Sequence, residues 1–387
     1  REPRAPQKQD QRNSGDKLEN LRIILWAGFA MLLYATYSEW SYEPAEQLAT
    51  SQEYSPETAR PKTRTADTNQ ATNTARPPNT NGVLGLSDAI PTISKNNPVE
   101  DTASPPLRTD VIKNNVLELH INPNKGADIV GAKLMTYHPT KKETDTPVEL
   151  LSLNTGAYHY FQTGLISVLG GDEANHTRPF KKLSSSGPRD NGAQIKYAYD
   201  LIDDSFNTTG IRVIKTYRLK EDSFRVDLEY EIINNSNSNY EFVQYAQLVK
   251  KNAEVERSMF DVETYSFNGG IIYNGDSYEK LDADDLSDNP YNQTHTSGWA
   301  ANIKHHFLVA LLPPENEPFR FEATHKTEER LDKISAISLE TKTLYPSGKI
   351  TIGTQFFIGP KLQSELRKTR EGLELSVDFG MVSFLAA

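Results

Sequence analysis

Cysteine is absent from the 387-residue sequence. This absence excludes a disulfide framework, a thiolate-bound metal and a cysteine nucleophile. A domain without disulfides has to be stabilised by the burial of apolar side chains, and hydrophobic residues make up 36% of the chain. The length leaves room for a core of substantial size.

Positive charge is in deficit. The chain has 42 Lys and Arg against 52 Asp and Glu, so its formal net charge is -10 at pH 7. Proteins that bind nucleic acid neutralise phosphates with a basic stripe or patch. We therefore expect no nucleic acid partner.

The common patterns of catalytic and metal sites are also lacking. Eight histidines are scattered, and none forms a His-x-x-x-His or His-Glu-x-x-His motif. His305 and His306 are adjacent, so on a strand they would point to opposite faces. The acidic run at residues 282–288 lacks the central glycine and closing glutamate of an EF-hand, and we interpret it as a solvated loop. We expect no catalytic residue, no metal and no cofactor.

One uncharged apolar run stands near the N-terminus, at residues 23–37, and residues 21–40 together are long enough to span about 30 Å of hydrocarbon as a helix. A cleavable signal peptide would show a small-x-small cleavage site, and a buried core helix would not have polar flanks. We therefore predict a transmembrane signal anchor. The residues expected to contact lipid are Ile23, Leu25, Trp26, Phe29, Leu32 and Leu33.

The charges beside this run predict its orientation. Residues 1–20 contain five Arg and Lys residues, whereas the first basic residue after the run is Arg60. By the positive-inside rule, residues 1–20 are cytoplasmic and everything after about residue 40 is outside. Residues 41–106 hold nine of the 22 prolines and few large apolar residues, so we predict a disordered polar linker. The more apolar stretch at residues 83–93 is an exception that we expect to dock.

Period-two alternation begins after the linker, over residues 107–358. Leu117 to Ile121, Val226 to Ile232 and Ile350 to Ile358 each place apolar residues on one face. Residues 305–314 contain six consecutive apolar residues, which predicts a strand buried on both faces. With turn residues between the runs and no long helical period, the pattern predicts an all-β antiparallel sandwich.

A short helical segment is predicted over residues 359–387, with proline at its start and Gly372 at its stop. Two leucines one turn apart make it amphipathic. We expect this segment to couple the sandwich to a following membrane region. The coupling residues are Pro360, Leu362, Leu366, Leu373, Phe379 and Phe384.

Several stretches occur together in a familiar order. They are "NKGADIVGAKLMTYHP" (residues 124–139), "DSYEKLDADDL" (276–286), "GWAANIKHHFLVALLPP" (298–314), and "FFIGPKLQSELRK" followed by "GLELSVDFGMVSFLAA" (356–368 and 372–387). Behind an N-terminal span and a polar tether, this order resembles the N-terminal half of the bacterial YidC family of membrane protein insertases. The resemblance implies a periplasmic β-supersandwich similar to galactose mutarotases, and a further membrane core beyond residue 387.

The same resemblance implies a function and partners. The chain would help integral membrane proteins insert into the inner membrane of a Gram-negative bacterium, alone or with the Sec translocon and its accessory subunits. Its partners would be nascent membrane proteins, the translocon and the lipid bilayer, and it would not be an enzyme. Two alternatives stay open: a carbohydrate-binding or mutarotase-like sugar-processing sandwich, which needs a histidine facing a carboxylate across a cleft, and a purely structural anchored domain.

Overall fold

The computed structural model describes residue 90 and residues 108–139, 145–154, 156–187, 192–253 and 267–377. The predicted anchor at residues 21–40 and almost all of the predicted linker lie outside this part. Within it, no helix has the length and apolar character needed to cross a bilayer. All of the described residues belong to one compact unit, residues 76–387.

In these described ranges, the first sheet contains ten strands. Its strand order is β1-β2-β3-β4-β5-β10-β17-β16-β13, with β18 pairing β10 beyond the end of β17. The strands are β1 (Asp110–Lys113), β2 (Leu117–Asn122), β3 (Asp128–Leu134), β4 (Val148–Leu153), β5 (Tyr158–Ser167), β10 (Tyr240–Lys251), β13 (Tyr291–Thr296), β16 (Pro318–Lys326), β17 (Leu331–Ser338) and β18 (Lys342–Leu344).

The second sheet contains nine strands within the described residues, in the order β12-β11-β14-β15-β19-β9-β8-β7-β6. These are β6 (Lys181–Ser186), β7 (Ala193–Ile202), β8 (Thr208–Leu219), β9 (Arg225–Asn234), β11 (Gly269–Tyr273), β12 (Tyr278–Leu281), β14 (Trp299–Ile303), β15 (Phe307–Leu312) and β19 (Lys349–Pro360). Neighbouring strands in both sheets pair antiparallel. The predicted all-β antiparallel fold is confirmed.

Helices in the described residues are short. They are α1 (Ala283–Asp288), α2 (Gln363–Thr369) and two single turns of 3-10 helix, Thr327–Glu329 and Leu373–Ser376. The acidic run interpreted as a loop therefore forms α1, because the Asp282 side chain accepts a hydrogen bond from the Asp284 amide and caps the first turn. No cluster of metal-ligating side chains occurs in the part of the chain that the structure describes.

The core lies between the sheets and follows the predicted alternation. In β9 every second residue from Val226 to Ile232 is buried, while the intervening charged residues are half-buried. β15 is buried at every position except Phe307, as predicted for a strand covered on both faces. Trp299 is fully buried and stacks on Tyr273 with ring centroids 5.3 Å apart.

Residues 83–93 are predicted to dock, and of this stretch the structure describes only Ile90. Ile90 is only 6% exposed and belongs to a small apolar cluster on β5, β10 and β17. The other members of this cluster are Ile166, Val243, Tyr245 and Ile337. Their strand neighbours Leu165, Phe242 and Ala336 belong to the main core, so this cluster lies on the opposite face of the first sheet.

Candidate functional site

A polar groove of about 760 Å³ runs along the N-terminal half of β19. It is lined by β8, β9 and β19 of the second sheet, by β10, the end of β17 and β18 of the first sheet, by the loop after β15, and by the end of α2. Eight charged residues of the described part of the chain line it. They are Arg218, Arg225, Lys342, Arg370, Asp227, Glu229, Glu315 and Glu317.

The groove exists because β15 is shorter than β19. The ladder between these strands ends at the pair Leu312 and Gln355, and Pro313 and Pro314 follow immediately. Proline has no amide hydrogen and cannot continue a central ladder. Among the described residues, positions 349–354 of β19 are therefore paired with β9 on one side only.

Ion pairs hold the charged side chains of the groove in place. Arg218 donates two hydrogen bonds to Glu229, at 2.9 and 3.1 Å. This hydrogen bonding raises the pKa of Arg218 and lowers the pKa of Glu229. Arg225 and Asp227 form a second pair, with Nε 3.2 Å from Oδ1, and Gln355 also donates to that carboxylate at 2.8 Å.

Arg370 connects the groove to α2. It follows α2 directly, is only 6% exposed, and places Nε 3.0 Å from Glu315 Oε1. Burial lowers its pKa, and the nearby Glu315 carboxylate acts in the opposite direction. Together with Lys342, whose Nζ lies 3.8 Å from Glu317 Oε2, these pairs balance four cations against four carboxylates.

The groove does not supply the histidine that the sugar-processing alternative requires. None of the described residues that line it is a histidine. Histidine–carboxylate pairs in the described part of the chain lie elsewhere: His325 with Asp332, 2.6 Å apart across β16 and β17, and His120 with Glu118, 3.0 Å apart on β2.

A second polar cluster lies buried between the sheets. Lys215 on β8 donates hydrogen bonds to Gly126 O at 2.7 Å, Asp128 Oδ1 at 2.8 Å and Thr163 Oγ1 at 2.6 Å. Gly126 has φ +65, and a Cβ there would lie 2.5 Å from the His176 Cα, so the turn requires glycine. These hydrogen-bond partners of Lys215 come from the first sheet or the turn before β3, so the cluster joins the two sheets.

Comparison with known proteins identifies the family. Residues 110–387 match the model of the YidC periplasmic domain. The chain belongs to the YidC family. Relatives named membrane protein insertase YidC include one from Thioalkalivibrio sulfidiphilus, 27% identical over 95% of this chain and 63% of its own length. Another, from Methylococcus capsulatus, is 31% identical over 71% of this chain and 49% of its own length. The chain spans about half to two thirds of these YidC proteins.

Solved structures similar to this YidC family chain carry mutarotase names. A galactose mutarotase related enzyme from Lactobacillus acidophilus has 11% identity and a TM-score of 0.44, covering 65% of this chain and 97% of its own. A galactose mutarotase-like protein from Lactobacillus casei has 11% identity and a TM-score of 0.41, covering 65% of this chain and 100% of its own.

The structure places four of the predicted coupling residues of this YidC chain. Pro360 ends β19 instead of starting the helix, because it still pairs with Phe307 of β15. Leu362 precedes α2 in an extended conformation and is 47% exposed, whereas Leu366 and Leu373 are fully buried in the core. Phe379, Phe384 and the six anchor residues lie outside the described part.

Sequence reasoning missed the groove and the buried lysine. It also treated two adjacent histidines as strand residues. His305 and His306 lie in the turn before β15, with ring centroids 4.0 Å apart, so the argument from a strand does not apply. The signal for Lys215 was available: it occupies an inward position in the alternation of Ile211, Val213, Tyr217 and Leu219 on β8. The Pro-Pro dipeptide after β15 was the signal for an open edge.

Proposed function

We propose that this chain is the periplasmic part of a membrane protein insertase. It assists the insertion and folding of integral membrane proteins in the inner membrane, alone or with the Sec translocon and its accessory subunits. The observation that supports this is the match of residues 110–387 to the YidC periplasmic domain, together with relatives named as insertases.

The proposed role is noncatalytic. Insertion moves a hydrophobic client from water into lipid, and this transfer breaks no bond, so it needs no nucleophile or general base. Residues 21–40 would anchor the chain in the bilayer, with residues 1–20 in the cytoplasm and the β-sandwich in the periplasm. The sandwich would act as a scaffold and a contact surface for partners, and the segment after β19 would couple it to the membrane core.

Deletions in the full-length protein test this proposal. In cells depleted of their own insertase, we expect a protein lacking residues 110–345 to retain part of the insertion of a reporter membrane protein. A protein lacking residues 359–384 should lose it, because the coupling segment is then missing. Protease accessibility of the reporter measures insertion, and the intact full-length protein is the control.

Two results would contradict the proposal. One is complete loss of insertion when only the sandwich is removed. The other is a coding sequence that stops directly after residue 387, because the proposal requires several further hydrophobic spans there. Full insertion without the sandwich would instead favour a purely structural domain.

A further inference from the structure

We propose that the groove binds an extended polypeptide segment, which adds as a strand to the unpaired edge of β19 between residues 349 and 354. Strand addition of this kind derives its affinity from backbone hydrogen bonds. The inference rests on the position of this unpaired edge, which lies between the polar walls of the groove. It does not depend on the proposed function.

The backbone of β19 directs hydrogen-bonding groups into the groove. The Ile358 amide donates to Phe224 O, and the Asn234 amide donates to Gly348 O. The even-numbered residues of β19 therefore point their backbone amides and carbonyls toward β9. In an antiparallel ladder the intervening residues point their amides and carbonyls to the other side. Thr351 and Gly353 therefore direct theirs toward the groove, where Thr351 is exposed and Gly353 half-buried.

A side chain partly substitutes for the missing strand. Gln244 Nε2 on β10 donates to Gly353 O at 3.4 Å, near the limit for a hydrogen bond. In the described part of the chain, Gln244 Oε1 is buried and has no hydrogen-bond partner. A peptide amide at the usual spacing of about 2.9 Å would satisfy Gly353 O better.

Three of the other sheet edges are less suited to pairing. β6 is exposed at every position and begins with two lysines, a common protection against edge pairing, and β1 and β12 have only four residues each. The unpaired edge of β19 instead lies in a groove with walls on both sides. Because these walls carry balanced charges, we infer that the bound segment presents polar side chains.

A labelled peptide tests the proposal on the 387-residue chain. The probe is a fluorescent hexapeptide of alternating Thr and Gln, and its control peptides carry methyl groups on alternate backbone nitrogens, in either phase. Fluorescence anisotropy should show saturable binding of the unmodified peptide. At least one methylated peptide should bind at least tenfold more weakly, because methylation removes the amides that form the ladder.

Two variants at one position locate the binding edge. Thr351→Pro removes an amide that points away from β9, so the fold should tolerate it while peptide binding weakens at least tenfold. Thr351→Val keeps the amide and should bind like the parent chain. Equal binding of the unmodified and both methylated peptides to the parent chain would overturn the proposal even if Thr351→Pro fails to fold. So would the absence of any binding at millimolar peptide. The insertion assay in cells is unaffected by either result.

Discussion

At the residue scale, the most consequential side chain is a buried lysine. Lys215 is fully buried, and its charge is compensated by Asp128 and by the hydrogen bond that it donates to Gly126 O in the turn before β3. Burial lowers the pKa of Lys215, while the Asp128 carboxylate acts to raise it. Because the two residues belong to different sheets, their pairing fixes how the sheets meet.

Breaking this pair should be strongly destabilising. We expect Lys215→Met to lower the free energy of unfolding by about 3–5 kcal/mol, since it leaves the Asp128 carboxylate buried without its cation. Asp128→Asn should cost a similar amount, and the double variant clearly less than the sum of the two. Urea unfolding of the four proteins measures the coupling. Strictly additive losses would show that the two groups do not stabilise each other.

A second buried lysine predicts a pH dependence. Burial, followed by the repulsion from Lys304, lowers the pKa of Lys250 from 10.5 to about 8, against the attraction of Asp332. Between these pH values the unfolded chain binds more protons than the folded one, so this group makes the protein more stable as the pH rises. Below pH 8 its contribution is unfavourable by about 3 kcal/mol.

We therefore expect the stability of Lys250→Met, relative to the parent chain, to be highest below pH 8. The advantage should shrink between about pH 8 and 10.5 as the parent chain gains stability. Denaturant unfolding across this range measures it, with Lys251→Met at the half-buried neighbouring position as the control. An unchanging difference between Lys250→Met and the parent chain would refute the argument.

At the element scale, α2 illustrates how packing selects among similar residues. Leu362 and Leu366 are one turn apart in sequence, but α2 begins at Gln363, after Leu362. Leu366 points into the core, while Leu362 remains largely exposed. Of the predicted amphipathic face, only Leu366 is buried in α2. Leu373 in the following 3-10 turn is also buried.

This difference is measurable. Leu366→Ala should lower the free energy of unfolding by about 2–5 kcal/mol, because it leaves a cavity in the core. The same substitution at Leu362 should change it by less than about 0.5 kcal/mol. Thermal or urea unfolding of the two variants provides the matched comparison. Equal losses would mean that α2 does not dock through Leu366.

At the scale of the whole molecule, the two ends of the sandwich differ. Hydrogen bonds join the β7–β8 hairpin, the β9–β10 turn and the β18–β19 turn at one end. Two aromatic side chains are exposed there, Phe206 at 83% and Tyr345 at 64%. α2 follows the opposite end of β19. Under the proposed function, the aromatic end would face away from the bilayer.

The sequence by itself determined the fold class and most of the strands. Period-two alternation places apolar residues on one face whatever the partner strand is, so β2, β9 and β19 could be predicted locally. The run of six consecutive apolar residues predicted β15 in the same local way. The motifs between residues 124 and 387 were also enough to recognise the family. The predicted anchor, linker boundaries and translocon contacts remain predictions, because they concern residues or partners that the structure does not describe.

Only the tertiary structure decided strand order, the groove and the buried ion pair. Lys215 and Asp128 are 87 positions apart, and Gln244 and Gly353 are 109 apart. Local patterns carry no information about which distant strands become neighbours, since pairing depends on how the whole core packs. The open edge of β19 arises in the same way: two prolines end β15, but which strand they leave uncovered depends on the order of strands in the sheet.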